Sequence, residues 1–191
     1  MAACEEDDDE SLVARICERD HRAFATLVRR HTDRFYACAW RMCGNDAQAE
    51  DIVQDAFLKL WARPDAFKPD RGARFTTWFT RVVTNLAIDT MRRKKPLAAG
   101  DALDTMAAPE PDAEKLLAKR EEADTLEHAI QALPSRQKAA LNLCFYEGLS
   151  NKEAAAILGI RVKALESLLM RAKGNVRDTL ARMQNRTKRY G

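Results

Sequence analysis

The chain has 191 residues, of which 46% are hydrophobic and 32% are charged, with seven glycines and a net charge of +3. This composition is typical of a helix-rich globular protein of one or two domains. No apolar run reaches the length that spans a bilayer, and the acidic start MAACEEDDDE does not resemble a signal or transit peptide. We therefore expect a cytoplasmic protein without membrane insertion.

The first part of the chain predicts three amphipathic helices in succession. After an acidic, disordered N-terminus at residues 1–10, the apolar spacing favours a short helix over Ser11–Arg19. A longer one follows from His21 to about Cys43, with Asp20 as its N-cap. The next helix covers Asp46–Ala62. Its apolar spacing predicts a core-facing side formed by Ile52, Val53, Ala56, Phe57 and Leu60.

A second face of this third helix combines carboxylates with an apolar group. Asp51, Gln54 and Asp55 lie there beside Leu58. Such a mixed face suits contact with another protein better than contact with bulk water. The alternative is an ordinary amphipathic surface helix without a partner.

The loop PDAFKPDRGA (64–73) leads into a fourth predicted helix over residues 74–93. Phe75, Trp78 and Phe79 crowd its first turns among threonines. Aromatic rings that stack on bases, next to arginines that contact phosphates, are what single-stranded nucleic acid binding requires. The alternative places these rings in the core, at least for Phe79. The polar residues that share one face of the helix are Arg81, Asn85, Asp89, Arg92 and Arg93.

A proline-containing stretch without periodicity, residues 96–115, predicts a flexible linker between two domains. The first domain would cover 11–95 and the second 116–183, with a basic tail at 184–191. In the second domain Pro134 opens a helix, because proline fits the first helical turn. The predicted buried side of that helix contains Ala140, Leu141, Leu143, Cys144 and Tyr146.

Residues 150–173, SNKEAAAILGIRVKALESLLMRAK, predict a helix-turn-helix. Ser150 and Glu153 have the spacing of a capping box, and Gly159 supplies the left-handed turn. The second helix would be presented to a DNA major groove. The alternative is an ordinary helical hairpin. The apolar positions that would hold the two helices together are Ala154, Ala155, Leu158, Ile160, Leu165 and Leu168.

Five cysteines are scattered along the chain without a CxxC pair. We interpret them as reduced thiols, most of them in helix cores. A metal or redox site built from His31, Cys38 and Cys43 is an alternative, although the spacing is not that of a structural zinc site. No nucleophile–base pair, phosphate-binding glycine loop or metal spacing indicates an enzyme. We therefore expect no catalytic residue, no metal, no cofactor and no small-molecule substrate.

Three segments, in this order, resemble the extracytoplasmic-function (ECF) sigma factors of the bacterial RNA polymerase sigma-70 family. AEDIVQDAFLKLWA (49–62) is similar to their core-polymerase-binding region, and TTWFTRVVTNLAIDTMRR (76–93) to the region that opens and reads the −10 element. The segment from LPSRQKAALNLCFYEG onwards (133–180) is similar to the domain that reads the −35 element. The resemblance implies an all-α fold of two small helical domains joined by a flexible linker, the C-terminal one carrying the helix-turn-helix. It makes 11–95 a sigma region 2-like domain and 116–183 a sigma region 4-like domain.

The resemblance also implies roles for individual residues. Core polymerase would contact Asp51, Gln54, Asp55 and Trp61. The −10 strand would contact Phe67, Arg71, Trp78, Arg81, Asn85, Asp89, Arg92 and Arg93, with the loop at 67–74 capturing an unstacked base. The −35 element would contact Lys163, Glu166, Ser167, Met170, Arg171 and Lys173. Many family members carry basic residues where this chain has Glu166 and Leu168, so the family's −35 preference does not transfer.

The implied partners are core RNA polymerase, promoter DNA and an anti-sigma factor. The DNA would be double-stranded at the upstream element and single-stranded at the −10 element. The protein would be cytoplasmic, at the nucleoid when bound to polymerase and at the membrane if a membrane-bound anti-sigma factor holds it. The alternative function is a stand-alone helix-turn-helix regulator, which would need a dimer surface to pair two half-sites.

Overall fold

The computed structural model describes residues 7–69, 74–93 and 123–190, with side chains through Met183. Within these ranges every regular element is helical, as the all-α prediction requires. A 3₁₀ turn (Pro64–Ala66) and a π-helical turn (Asn142–Tyr146) complete the set. The expected linker at 96–115 lies outside the described residues. The helices are α1 (Asp9–Cys17), α2 (His21–Cys43), α3 (Asp46–Ala62), α4 (Phe75–Arg93), α5 (123–131), α6 (Ser135–Leu141), α7 (Asn151–Leu158) and α8 (Val162–Tyr190).

Helices α1 to α4 form the first domain around one apolar core. The predicted bounds of α2 and α3 agree with the structure. The Asp20 side chain accepts hydrogen bonds from the first turn of α2, and Gly44 ends that helix in the left-handed region at φ 63°. The five residues of α3 that were predicted to face the core are all buried.

Helix α1 begins at Asp9, with Asp8 as its N-cap, which corrects the expectation of disorder through residue 10. The Asp8 side chain caps α1 by accepting from the amide of Ser11 at 2.7 Å. Glu10 accepts a hydrogen bond from the amide of Phe75 at 3.1 Å. Carboxylates near a helix N-terminus satisfy free N–H groups and complement the helix dipole, so α1 and the first turn of α4 fix one another.

Helices α5 to α8 form the second domain, which carries two differences from the predicted pattern. Pro134 precedes α6 as expected, but the helix widens into a π-helical turn after Leu141. Tyr146, predicted to be buried, is 50% exposed. The wider turn rotates its ring outward, where the Arg41 guanidinium lies 4.7 Å from the ring centroid.

The two domains are docked on one another. Helices α6 and α7 pack against α4, and α6 with the π-helical turn also packs against α2. Buried residues of both domains belong to one apolar cluster, which includes Phe79 and Val83 of the first domain and Ala139 and Leu143 of the second. The sequence predicted two domains and gave no arrangement for them.

Candidate polymerase and promoter interfaces

Helix α3 presents an exposed polar face next to an apolar groove. Asp51, Gln54 and Asp55 are all exposed, as the sequence predicted. Leu58, on the same side, is 55% exposed. A shallow groove of about 400 Å³ between α2 and α3 adjoins this face, lined by Phe24, Val28, Thr32, Tyr36, Glu50, Val53, Gln54, Phe57 and Leu58. Exposed apolar groups edged by carboxylates are a surface that another protein can cover.

Trp61 lies at the end of α3 and has contacts within its own domain. Its ring centroid is 4.6 Å from that of His21 and 5.1 Å from that of Phe24. The Arg19 guanidinium lies 5.6 Å from the indole centroid and donates to the Trp61 carbonyl oxygen at 3.0 Å. The half-buried indole therefore anchors the junction of α1, α2 and α3, and only part of it remains for a partner.

Helix α4 displays the polar stripe that its sequence spacing predicted. Arg81, Asn85, Asp89, Arg92 and Arg93 are all exposed. Arg92 and Asp89 approach to 3.4 Å, and both side chains are more than half exposed. An exposed ion pair of this kind contributes at most about 1 kcal/mol to stability. Its arginine can therefore exchange this partner for a phosphate.

The aromatic residues near the start of α4 belong to the core. Phe75 and Phe79 are 1% and 0% exposed and stack at 5.2 Å, which corrects the idea that they form a base-stacking platform. Phe67 is 4% exposed, with its ring 5.8 Å from that of Phe75 and 5.5 Å from that of Trp78. Of the aromatic residues in the predicted −10 set, Trp78 alone keeps a partly exposed ring. Arg71 lies outside the described residues.

The helix-turn-helix has the local chemistry that the sequence indicated. The amide of Glu153 donates to the Ser150 hydroxyl, and the Ser150 amide donates to the Glu153 carboxylate, so the capping box is complete. The Ser150 hydroxyl lowers the pKa of Glu153 by donating to its carboxylate. Gly159 turns the chain at φ 64°. Leu165 is fully buried and holds α8 against the first helix of the motif.

The first turns of α8 expose the six residues expected to contact the −35 element. Met170 is 70% exposed, and the Ser167 hydroxyl donates to the Lys163 carbonyl at 2.9 Å. The Lys173 ammonium lies 5.0 Å from the ring centroid of Phe145, which holds this cation at the edge of the surface. Glu166 and Arg171 are also exposed. The surface therefore has one carboxylate, Glu166, with a basic residue before it (Lys163) and another after it (Arg171).

Of the described cysteines, Cys38 is buried and Cys43 is half-buried. Burial raises the pKa of the Cys38 thiol to about 12, and burial also raises the pKa of Cys43. A raised thiol pKa lowers the fraction of reactive thiolate at neutral pH. Among the residues that the structure describes, no group of three His, Cys, Asp or Glu side chains could hold a metal ion.

Two features of the second domain were missed by the sequence reasoning. An apolar groove of about 610 Å³ lies between α5, the π-helical turn and α8, and includes Leu126, Phe145 and Val176. The sequence signal that could have predicted this groove is that α8 carries apolar residues on two of its faces. The other feature is the buried carboxylate of Glu147, for which the sequence offered no signal because its partners come from α2.

Two family matches cover the two domains in order. Residues 27–96 match Sigma-70 region 2, and residues 123–176 match Sigma-70 region 4. The ECF RNA polymerase sigma factor SigW of Bacillus subtilis is 30% identical over 178 residues, covering 88% of this chain and 94% of SigW. The chain belongs to the ECF sigma factors of the sigma-70 family.

Two further relatives agree with this family assignment. The ECF RNA polymerase sigma factor SigE of Mycolicibacterium smegmatis is 33% identical over 164 residues. The match covers 84% of this sigma factor and 63% of the length of SigE. The solved structure of CnrH in complex with the cytosolic domain of CnrY has a TM-score of 0.64 and 27% identity, and the match covers 92% of this chain and 98% of CnrH.

No helix in the described ranges of this sigma factor combines the length and apolar character needed to cross a membrane.

Proposed function

We propose that this sigma factor binds core RNA polymerase and directs transcription initiation at promoters with a defined −35 and −10 element. The observation that carries the proposal is the exposed face of α8, presented by a fully capped helix-turn-helix and bearing Lys163, Met170 and Arg171. A recognition helix of this kind reads base edges in the major groove through a few side chains.

The first domain, residues 11–95, would contribute two surfaces. The exposed face of α3 with Asp51, Gln54 and Asp55 would bind core polymerase, with Trp61 at its edge. The polar stripe of α4 would hold the −10 strand through Arg81, Asn85, Asp89, Arg92 and Arg93. Trp78 would supply the partly exposed ring, and Arg71 stays a proposed contact on the resemblance alone. Because the Phe67 ring is enclosed, we do not place it among the stacking residues.

No covalent chemistry is needed for this function. A protein that binds one strand of the open duplex better than the closed duplex shifts the equilibrium toward opening. Stacking contributes about 1–3 kcal/mol per base, which offsets the few kcal/mol needed to unstack one. The second domain, residues 116–183, would position the polymerase by reading the upstream element.

An anti-sigma factor is the proposed regulator of this protein. The resemblance to the ECF family implies one, and CnrH has been solved with the cytosolic domain of CnrY bound. The apolar groove beside α3 is a surface that such a partner can cover. We place the free protein in the cytoplasm, the polymerase-bound form at the nucleoid, and an inhibited form wherever the anti-sigma factor lies.

The α3 assignment is tested by charge reversal. A variant with both Asp51→Arg and Asp55→Arg should lose binding to core polymerase, since it places two cations where two carboxylates met the partner. Asp33→Arg, an exposed change on α2, is the matched control and should bind like the wild type. Binding is measured by fluorescence anisotropy of labelled protein titrated with core, with thermal melts to confirm folding. Unchanged affinity of the double variant would remove the α3 face from the interface.

A further inference from the structure

The carboxylate of Glu147 joins the two domains. Although it is charged, its side chain is only 5% exposed. Oε2 accepts from Arg34 Nη2 at 3.1 Å, and Oε1 accepts from Arg41 Nη1 at 3.3 Å. Both arginines belong to α2 of the first domain, whereas Glu147 follows the π-helical turn of the second. A buried carboxylate requires such partners, because leaving it unpaired is costly.

Neutral hydrogen bonds surround this ion pair and cross the same boundary. Asn142 donates to the carbonyl oxygen of Cys38 at 3.3 Å and to its sulfur at 3.2 Å. Gln131 donates to the carbonyl oxygen of Arg41 at 3.2 Å. That carbonyl lies in the last turn of α2, where helical partners are missing, so the second domain supplies part of the C-cap.

The fit at this boundary is close. A Cβ built on Gly44 would come within 2.8 Å of the end of the Gln131 side chain, so a larger residue at this position would displace that side chain. Lys138 is 7% exposed and donates to Gln131 at 2.8 Å. The amide and carboxylate side chains of the second domain at this boundary are thus paired with groups of α2, while the Arg34 and Arg41 side chains are 47% and 28% exposed.

Docking places the second domain in front of the α4 stripe. A cleft of about 820 Å³ separates them. Its first wall contains Asn85, Asp89 and Arg92 of α4, and its second wall contains Pro134 and Arg136 of the second domain. A DNA strand that reaches these three residues must share the cleft with the second domain. The recognition face of α8 stays exposed in the same arrangement.

We propose that the Glu147–Arg34–Arg41 cluster, with Asn142, is a latch that holds the free protein in a docked state in which the −10-reading stripe is obstructed. The inhibitory consequence rests on the proposed function, whereas the latch itself does not. Interfaces between domains of one chain are generally of the size at which domain motion is expected. A few buried polar contacts therefore decide whether the domains stay docked, and core polymerase must overcome them to use both reading surfaces.

Cys38 is a natural reporter of the docked state. Its side chain is fully buried, with the Asn142 amide against its sulfur. Cys17, on α1 and exposed, is an internal reference in the same chain. The experiment measures the iodoacetamide labelling rate of each cysteine by peptide mass spectrometry, on the full chain at fixed pH. The variant is Glu147→Gln, which keeps the shape and removes the charge, and Glu18→Gln is an exposed matched control.

The latch predicts that Cys38 in Glu147→Gln is labelled about tenfold faster than in the wild type, since charge-assisted hydrogen bonds are lost. Cys17 should react at an unchanged rate, and small-angle scattering should show a larger radius of gyration. Glu18→Gln should match the wild type. Because burial and also the Glu147 charge raise the pKa of the Cys38 thiol, an unchanged radius of gyration in Glu147→Gln would overturn the latch even if Cys38 reacted faster.

A second measurement needs no substitution. Salt screens ion pairs, so raising NaCl from 0.05 to 1 M should speed Cys38 labelling in the wild type and change it much less in Glu147→Gln. Cys38 labelling in the wild type that does not change with salt would contradict the latch, and this result does not depend on whether Glu147→Gln folds.

The inhibitory consequence is read from the affinity for core polymerase. If only a fraction of the free protein is in the state that can bind core polymerase, the apparent affinity equals the intrinsic affinity multiplied by that fraction. Glu147→Gln should therefore bind core up to about tenfold more tightly. Faster labelling without tighter binding would overturn the inhibitory role. If neither protein bound core at all, the sigma function would fail, while the labelling result would still decide the latch.

Discussion

The side-chain Nδ2 of Asn142 lies 3.3 Å from the backbone carbonyl oxygen of Cys38, across the boundary between the two domains. Asn142 is 2% exposed. A buried amide whose acceptor belongs to the other domain keeps this hydrogen bond only while the domains are docked. The contact therefore links the stability of the docked chain to one side chain in a π-helical turn.

Replacing this amide should cost stability. Asn142→Ala removes the buried hydrogen bonds to the Cys38 carbonyl and sulfur and should lower the free energy of unfolding by about 1–3 kcal/mol. The measurement is urea unfolding followed by circular dichroism. Asn151→Ala, at an exposed position in α7, is the control and should stay within about 0.5 kcal/mol of the wild type. Equal losses in the two variants would mean that the interdomain contact contributes nothing specific.

The Cys38 thiol should make stability depend on alkaline pH. Burial raises its pKa from 9.0 to about 12, so the folded chain holds this proton where the unfolded chain releases it. The stabilisation is complete below pH 9 and is lost as the pH rises toward 12. In urea unfolding between pH 8 and pH 10, Cys38→Ala should show a shallower decline than the wild type. Cys17→Ala, which removes an exposed thiol, should keep the wild-type slope; identical slopes in all three proteins would refute the assignment.

The capping box should support the helix-turn-helix. Ser150→Ala removes the hydroxyl that accepts from the Glu153 amide and should cost about 1 kcal/mol of unfolding free energy. Ser135→Ala is a suitable control, because α6 starts without a side-chain cap. Thermal melts of the two variants give the comparison. A Ser135→Ala loss as large as that of Ser150→Ala would show that the cap is not the cause.

The recognition face of α8 should depend on Arg171. Arg171→Ala should weaken binding of the polymerase complex to the upstream element by about 1–3 kcal/mol if the side chain makes a bidentate base contact. Footprinting of the assembled complex on promoter variants supplies the affinities. Arg182→Ala, farther along the same helix, should change affinity uniformly or not at all. An unaltered base preference in Arg171→Ala would place the readout on another side chain.

The helices could be predicted from the sequence because capping residues and turn glycines act on the few residues next to them. The Asp20 cap, Gly44 and the Ser150–Glu153 pair each act within one turn of chain, and the structure contains all of them. The prediction that Tyr146 is buried was wrong because a π-helical turn shifts the helical period, and the spacing of residues in the sequence did not indicate that turn. Phe67 was assigned to the DNA although its ring packs on Phe75 and Trp78, contacts that exist only after folding.

The relation between the domains lay beyond the reach of sequence reasoning. Glu147 and Arg41 are 106 residues apart in the chain. The sequence around either residue does not indicate that the two side chains form an ion pair. Motif resemblance selected residues on α3, α4 and α8 that the structure shows to be exposed, because each set lies within one short segment of the chain. Which of those surfaces the chain itself obstructs depends on tertiary packing.

The most direct test of the central claim is in vitro transcription from a library of random promoters, with core polymerase in the presence and absence of this protein. A sigma factor should give transcripts that appear only with the protein and share paired upstream and downstream motifs. Transcription by core that is unchanged by the protein, combined with tight DNA binding by the protein alone, would contradict the account and favour a stand-alone helix-turn-helix regulator.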